Sequence, residues 1–344
     1  MTPFGSKQGF KLFVIPLVMA AIVALAIDQI FQHLVLPLRT DISNSYKIER
    51  LLGETSPEEI PVFGSSKGRS SFIPDSLGEN VFNYSMEKCN FDVIFFLLET
   101  ELAKDKDSPI IIEFNTRSFI HRPEHTIDMA AFMPVQNSEK VTEYLAENNR
   151  LDRFQLLPGV RYYGSYIGYL RSLTRKVTSK KITNRGGIFI DYYPGDELLQ
   201  KFANSRYKLM EKREQLEERK ASGVPLTYME VQLLDHLQMN SDFANNTERI
   251  EKFENMAKDH PNRDFIMVFT PHHPSELVGV TNLEKVDSLF NHWNTDISNI
   301  HAFDYSTFPL PDSCFKNSSH INLEGARRFC AVLNDDIDYL LNSN

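Results

Sequence analysis

Ile60-Pro61-Val62-Phe63-Gly64-Ser65-Ser66-Lys67-Gly68-Arg69 runs from four apolar residues through a glycine-serine turn into small and polar residues. A short apolar run ended by turn residues reads as a buried strand, and glycine lets the chain turn tightly enough to present a hydroxyl among backbone N–H groups. Similar runs, rich in β-branched and aromatic residues, recur at 80–84, 109–114, 187–191, 265–269 and 300–305. Helical patterns lie between them at 91–103, 138–148, 196–220, 228–239, 246–258 and 283–293. The clearest comes last, where Leu323, Ala326, Phe329, Cys330, Leu333, Ile337, Leu340 and Leu341 line one face at three- and four-residue steps. Strands alternating with helices predict an α/β fold, a mostly parallel sheet covered by helices. The Glu-, Lys-, Gln- and Arg-rich stretch 196–260 reads as a helical insertion within one domain rather than as a domain of its own.

Composition narrows the function classes. The 344 residues are 42% apolar and 24% charged, enough for a full core. With 37 basic and 46 acidic residues the net charge is −9, which argues against a general nucleic-acid binder. Three cysteines at unrelated spacings form neither a zinc set nor a disulfide framework, so the sequence calls for no metal and no cofactor.

The amino terminus sets the compartment. Leu12 to Ile27 carries no charge and spans about 24 Å as a helix, slightly short of a bilayer core of about 30 Å, a difference that Lys11 makes up by snorkelling. Lys7 and Lys11 precede the run and Asp28 follows it, so the positive-inside rule predicts a cytoplasmic amino terminus. Residues 1–40 then form an anchor with a juxtamembrane helix, and 41–344 an extracytoplasmic domain. Ala24-Leu25-Ala26 has the small-x-small form of a signal cleavage site, which makes a cleaved leader the competing reading. The apolar character that resumes at Ile30, Phe31 and Leu34 to Leu38 favours the anchor.

A second polar segment lies just before the last helix, Phe315-Lys316-Asn317-Ser318-Ser319-His320-Ile321-Asn322-Leu323-Glu324-Gly325-Ala326. A serine after the first strand and a histidine before the last helix can meet at one edge of an α/β sheet as nucleophile and general base.

These paired segments resemble those of the SGNH (GDSL-like) hydrolase superfamily, over roughly 59–116 and 264–344. Gly64-Ser65-Ser66 is similar to the family's Gly-Asp-Ser block, with Ser65 replacing the usual acid. Asn317-Ser318-Ser319-His320 is similar to its Asp-x-x-His block, with Asn317 replacing the orienting aspartate. The resemblance implies a three-layer, flavodoxin-like α/β/α domain with Ser66 as nucleophile and His320 as base. It places oxyanion donors at the Ser66 and Ser85 backbone N–H groups and the Asn115 side-chain amide. Asp-to-Asn in a serine-protease triad costs about 10⁴ in turnover through the wrong imidazole tautomer, so Asn317 also leaves open a catalytically impaired scaffold subunit. Membrane-anchored members resemble accessory proteins of cell-envelope polysaccharide acylation. They imply acyl transfer or ester hydrolysis on an envelope glycan, with a membrane-bound O-acyltransferase as partner. A secreted lipase is a third reading.

Three other features bear on binding. Arg161 to Arg185 holds seven basic residues, no acid, and Tyr162, Tyr163, Tyr166 and Tyr169, suiting anionic headgroups or an acidic glycan as well as a solvated face with packed tyrosines. Pro271-His272-His273-Pro274 follows a strand, and its two histidines point in different directions in most backbones. His121 and His125 have helical spacing, but Pro123 between them disfavours a helical metal pair.

Overall fold

A computed structural model describes residues 7–119 apart from 88 and 90, 129–151, 157, 159, and 181–343 apart from 242, 244 and 245. The chain divides into two compact units, Met1–Arg50 with Asp128–Ser179, and Leu51–Ile127 with Lys180–Asn344. This division falls ten residues beyond the expected end of the anchor and groups a middle segment with it.

In the first unit one helix runs over Lys7–Ile30, with Pro16 inside it, and continues as a π turn, Phe31–Val35, and a 3-10 turn, Leu36–Leu38. Its 24 residues rise about 36 Å, so the continuous helix is longer than the uncharged run alone and reaches across a bilayer core of about 30 Å. Apolar side chains project from it on all sides, Leu12 at 77% and Leu17 at 60% exposure, and it is apolar enough to cross a membrane. Phe31, Leu36 and Met133 pack together at its far end.

The second unit is built on a parallel sheet of five strands: β1 (Ile60–Phe63), β2 (Val81–Asn83), β3 (Ile110–Phe114), β6 (Phe265–Phe269) and β7 (Ile300–Asp304), in the order β2-β1-β3-β6-β7. Counted along the chain this is 2-1-3-4-5, a doubly wound order whose switch point lies between β1 and β3. Pro61 is tolerated inside β1 because Ile60 and Val62 face β2, through Ile60 N–H to the Asn80 carbonyl and Tyr84 N–H to the Val62 carbonyl. The proline's missing N–H therefore falls on the β3 side, where pairing starts only at Val62↔Ile111.

Side-chain alternation sends each strand's residues to two covered faces. Val62, Ile111, Ile266 and Val268 join Phe72, Leu77, Phe329, Leu333 and Ile337, under the carboxyl-terminal helix Leu323–Ser343. On the other face Phe114 packs on Phe290, and Phe265 on Phe253 of the helix Thr247–Asp259. Trp293, fully buried, closes that layer against Phe119, Phe253 and Phe290 and donates its indole N–H to Glu254 at 3.0 Å. Three helices, Asp196–Ala221, Tyr228–Ser241 and Thr247–Asp259, fill the predicted insertion, and the last of them is the layer helix just named.

The sheet departs from expectation at one strand. β5 (Gly187–Ile190) is not part of it but pairs antiparallel with β4 (Lys181–Asn184). The turn between them has Arg185 at φ 33° and Gly186 at φ 90°, the positive pair that tight hairpins require. Its Arg185 carbonyl accepts from Asn83 N–H at 2.9 Å, so the hairpin covers the open edge of β2.

Phe329 lies fully buried with ring centroids 5.9 Å from Phe72 and 5.3 Å from Tyr305. Phe329→Ala is expected to destabilise the fold by about 3–5 kcal/mol in urea melts, whereas Arg328→Ala on the exposed face stays within about 0.5 kcal/mol. Equal losses for the two would contradict this placement of the last helix.

Candidate active site

The crevice at a doubly wound sheet's switch point lies beyond the carboxyl ends of the strands, and here those ends are Phe63 and Phe114. Beyond Phe63 the chain passes so close over β3 that a Cβ on Gly64 would stand 2.7 Å from Glu113 Cβ, so only glycine fits without displacement. Ser65 then caps the helix Ser66–Ser71: its Oγ accepts from Lys67 N–H at 3.2 Å. Serine and aspartate are comparable caps, which accounts for a serine at this position. The Ser65 N–H donates to Glu113 Oε2 at 2.6 Å.

Ser66 opens that helix, and its Oγ lies 3.0 Å from His320 Nε2, 254 residues away in sequence. His320 sits in a hairpin where the sequence suggests a loop: β8 (Phe315–Asn317) pairs antiparallel with β9 (His320–Ile321) across the Ser318-Ser319 turn. Asn317 faces His320 in this register, with Oδ1 3.1 Å from His320 Nδ1. Ser319 N–H donates to the same Oδ1 at 2.9 Å. A backbone N–H needs an acceptor, so the amide presents its oxygen; that oxygen needs a proton on Nδ1, so the lone pair of His320 is on Nε2, facing the Ser66 hydroxyl. The three side chains thus form a relay in the tautomer that base catalysis requires.

Burial lowers the His320 pKa to about 4, assisted by the positive charges of Lys316, Lys67 and Arg69 and opposed by Glu276. The ring is therefore neutral, and its Nε2 available, through the whole physiological range.

The other expected residues lie close to the Ser66 turn, Ser85 Oγ against Gly64 and Gly68 and Asn115 on the Glu113 that Ser65 also uses, but their donors are partly engaged. Ser85 is fully buried and its N–H donates to Asn83 Oδ1 at 2.9 Å, so that N–H is already engaged inside the protein. Asn115 stands at the end of β3 as predicted, but one N–H of its amide goes to Glu113 Oε1 at 3.1 Å, and its Oδ1 accepts from Arg117 N–H. His272 and His273 do diverge. His272 turns into the crevice, and its Nε2 lies 2.5 Å from Lys67 Nζ, while His273 caps the short helix Pro274–Leu277 and lies edge-on to Phe315. His121, His125 and Tyr162, Tyr163, Tyr166 and Tyr169 lie outside the described residues.

Glu113, Lys67 and Glu276 complete the site without having been singled out in the sequence. Glu113 left one local signal, a lone charge in the apolar run Ile110-Ile111-Ile112-Glu113-Phe114. Burial lowers the Lys67 pKa, while Glu276 and Glu113 hold it up. Burial also works to raise that of Glu276, but Lys67 and Arg206 keep it below the ordinary carboxylate value. No known protein family matches this sequence, and no curated protein does either, so the reading of the site rests on its geometry.

Because the unfolded chain protonates His320 near 6.5 and the folded one near 4, the unfolded state binds more protons between those values. The contribution of His320 to stability is present above pH 6.5 and falls as pH drops toward 4. An NMR titration is expected to place the His320 midpoint near 4, and Asn317→Asp to raise it by about 1–3 units, since a carboxylate favours the imidazolium. A midpoint near 6.5 would contradict the half-buried, neutral ring.

Proposed function

We propose that this chain is a membrane-anchored serine acyltransferase or esterase of SGNH-like type, acting on an acylated cell-envelope polysaccharide from the extracytoplasmic side. The observation that carries the reading is the Ser66 Oγ–His320 Nε2–Asn317 Oδ1 relay at the switch point of a parallel sheet. In that mechanism His320 Nε2 takes the hydroxyl proton as Ser66 attacks an ester or thioester carbonyl. The imidazolium returns the proton to the leaving group, which leaves an acyl-serine. A sugar hydroxyl or water then gives its proton to His320 and attacks the acyl carbon, and Ser66 regains its hydrogen. Transfer and hydrolysis use the same residues and differ in which acceptor fills the crevice.

The apolar helix Lys7–Ile30, with lysines on its amino-terminal side, supports an anchor that leaves the sheet domain outside the cytoplasm. In that position the acyl donor comes from across the membrane, the task of a membrane-bound O-acyltransferase partner. The Asn317 geometry supports catalysis over a scaffold role, because it preserves the tautomer that an inverted amide would destroy.

Fluorophosphonate labelling of the full chain in detergent, with peptide mapping by mass spectrometry, tests this. Labelling confined to Ser66 and lost in Ser66→Ala and His320→Ala is the expected result. A folded protein that takes no label would overturn the reading and leave a non-catalytic subunit.

A further inference from the structure

The carboxyl edge of the sheet holds a cation that the nucleophile and base do not explain. Lys67 follows Ser66 directly, and its side chain crosses the end of β3 to reach His272, three residues beyond the end of β6 at Phe269. His272 is 5% exposed, and its Nδ1 lies 2.6 Å from the Thr270 carbonyl oxygen, which only accepts. The ring proton is therefore on Nδ1 and the lone pair on Nε2, so the 2.5 Å contact is Lys67 donating. One ammonium N–H is fixed in this way, which leaves two to direct at a substrate oxygen. Of the donors that the family pattern places here, the Ser85 N–H is taken by Asn83 and one Asn115 N–H by Glu113, which leaves the Ser66 N–H and the second Asn115 N–H for Lys67 to join.

We propose that Lys67, held in place by His272, is the catalytic residue that stabilises the oxyanion formed when Ser66 adds to the acyl carbonyl. The inference rests on Ser66 acting as the nucleophile. As the Ser66 oxygen bonds to carbon, the carbonyl π pair moves onto oxygen while the hydroxyl proton moves to His320. The Lys67 ammonium donates a hydrogen bond to that oxygen without giving up its proton. When the carbonyl reforms, the leaving group departs with the His320 proton and Lys67 is unchanged. A positive charge beside a partly buried crevice acts through a lower dielectric than water, where such stabilisation is worth most.

The neighbours keep this cation in being. Glu113 on β3 and Glu276 on the helix Pro274–Leu277 favour the ammonium, against burial and against Arg117 and Arg206. His272 stays neutral well below its ordinary value, through burial and the Lys67 charge, and so adds no competing cation.

The test is p-nitrophenyl acetate hydrolysis by the full chain in detergent, with fluorophosphonate titration of Ser66 and a thermal melt for each variant. Lys67→Met is expected to lower kcat about 100-fold or more with KM changed by less than about threefold, the signature of a lost oxyanion donor. Wild type is expected to lose activity on the alkaline side as Lys67 deprotonates, whereas Lys67→Arg, cationic throughout, retains a flat alkaline limb. If Lys67→Met melts early, the Lys67→Arg profile decides. A Lys67→Met kcat within about threefold of wild type, or an alkaline fall that persists in Lys67→Arg, would overturn the role of Lys67 while Ser66 labelling leaves the serine mechanism standing. Wild type with no Ser66 label and no turnover above Ser66→Ala would overturn both.

Discussion

Glu113 is a fully buried carboxylate on the central strand of the sheet, and its two oxygens are each used: Oε2 accepts the Ser65 N–H and Oε1 the Asn115 amide. A carboxylate taken out of water is costly unless its lone pairs are met, so the two loops that meet them are held as firmly as the charge is. Those loops leave β1 and β3 at the switch point, where the ladder between the strands has ended at Phe63↔Ile112. Backbone pairing no longer ties them together there, and Glu113 takes over. Gly64 and Gly68 are the corollary, since a Cβ at either would come within 2.7 to 3.1 Å of Glu113 Cβ and push the nucleophile turn off its anchor. The position of Ser66 is thus fixed from beneath, by a charge it does not touch.

His320 is fixed by a different device. An asparagine in place of a triad aspartate is damaging when its NH₂ turns toward the histidine and selects the wrong tautomer. Here the two-residue turn of the β8–β9 hairpin points Ser319 N–H at Asn317 Oδ1, and that donor sets the amide before the histidine is considered. Backbone geometry supplies the orientation that a charged aspartate supplies elsewhere. What the amide cannot supply is stabilisation of the imidazolium, and with burial and the charges of Lys316, Lys67 and Arg69 against it His320 is a weak base. In the proposed mechanism the same property would make its protonated form a strong acid toward the leaving group, so the loss in the first proton transfer would be offset in part in the second.

Much of this was legible in the sequence where the signal was local. β1, β3, β6 and β7 declared themselves as compact β-branched and aromatic runs, and the last helix by its apolar stripe. Gly187–Ile190 has the same composition, yet a run of four apolar residues carries no mark of which sheet it joins; the Arg185-Gly186 turn that makes it a hairpin lies next to a stretch dominated by charge. Asn317 and His320 were found as residue types at the right interval, but arms of two and three residues are too short to show strand alternation, so their hairpin was invisible. Lys67 and His272 are 205 residues apart and Ser65 and Glu113 are 48, and contacts of that range come from the strand order, which a single sequence does not print.

The charges of the crevice follow from these constraints taken together. In a chain of net charge −9, the main charges acting on His320 are Lys316, Lys67 and Arg69, with Glu276 opposing them. Such a surrounding penalises the imidazolium and, in the proposed mechanism, would favour the oxyanion, the two opposite charges that appear together when a serine adds to a carbonyl. A carboxylate at 317 would shift the balance toward the base; an amide there, with a lysine beside the nucleophile, shifts it toward the oxygen. In the proposed mechanism the site would therefore place its electrostatic weight on the substrate side of the proton transfer, with an amide at 317 beside the base and a cation at 67 beside the nucleophile.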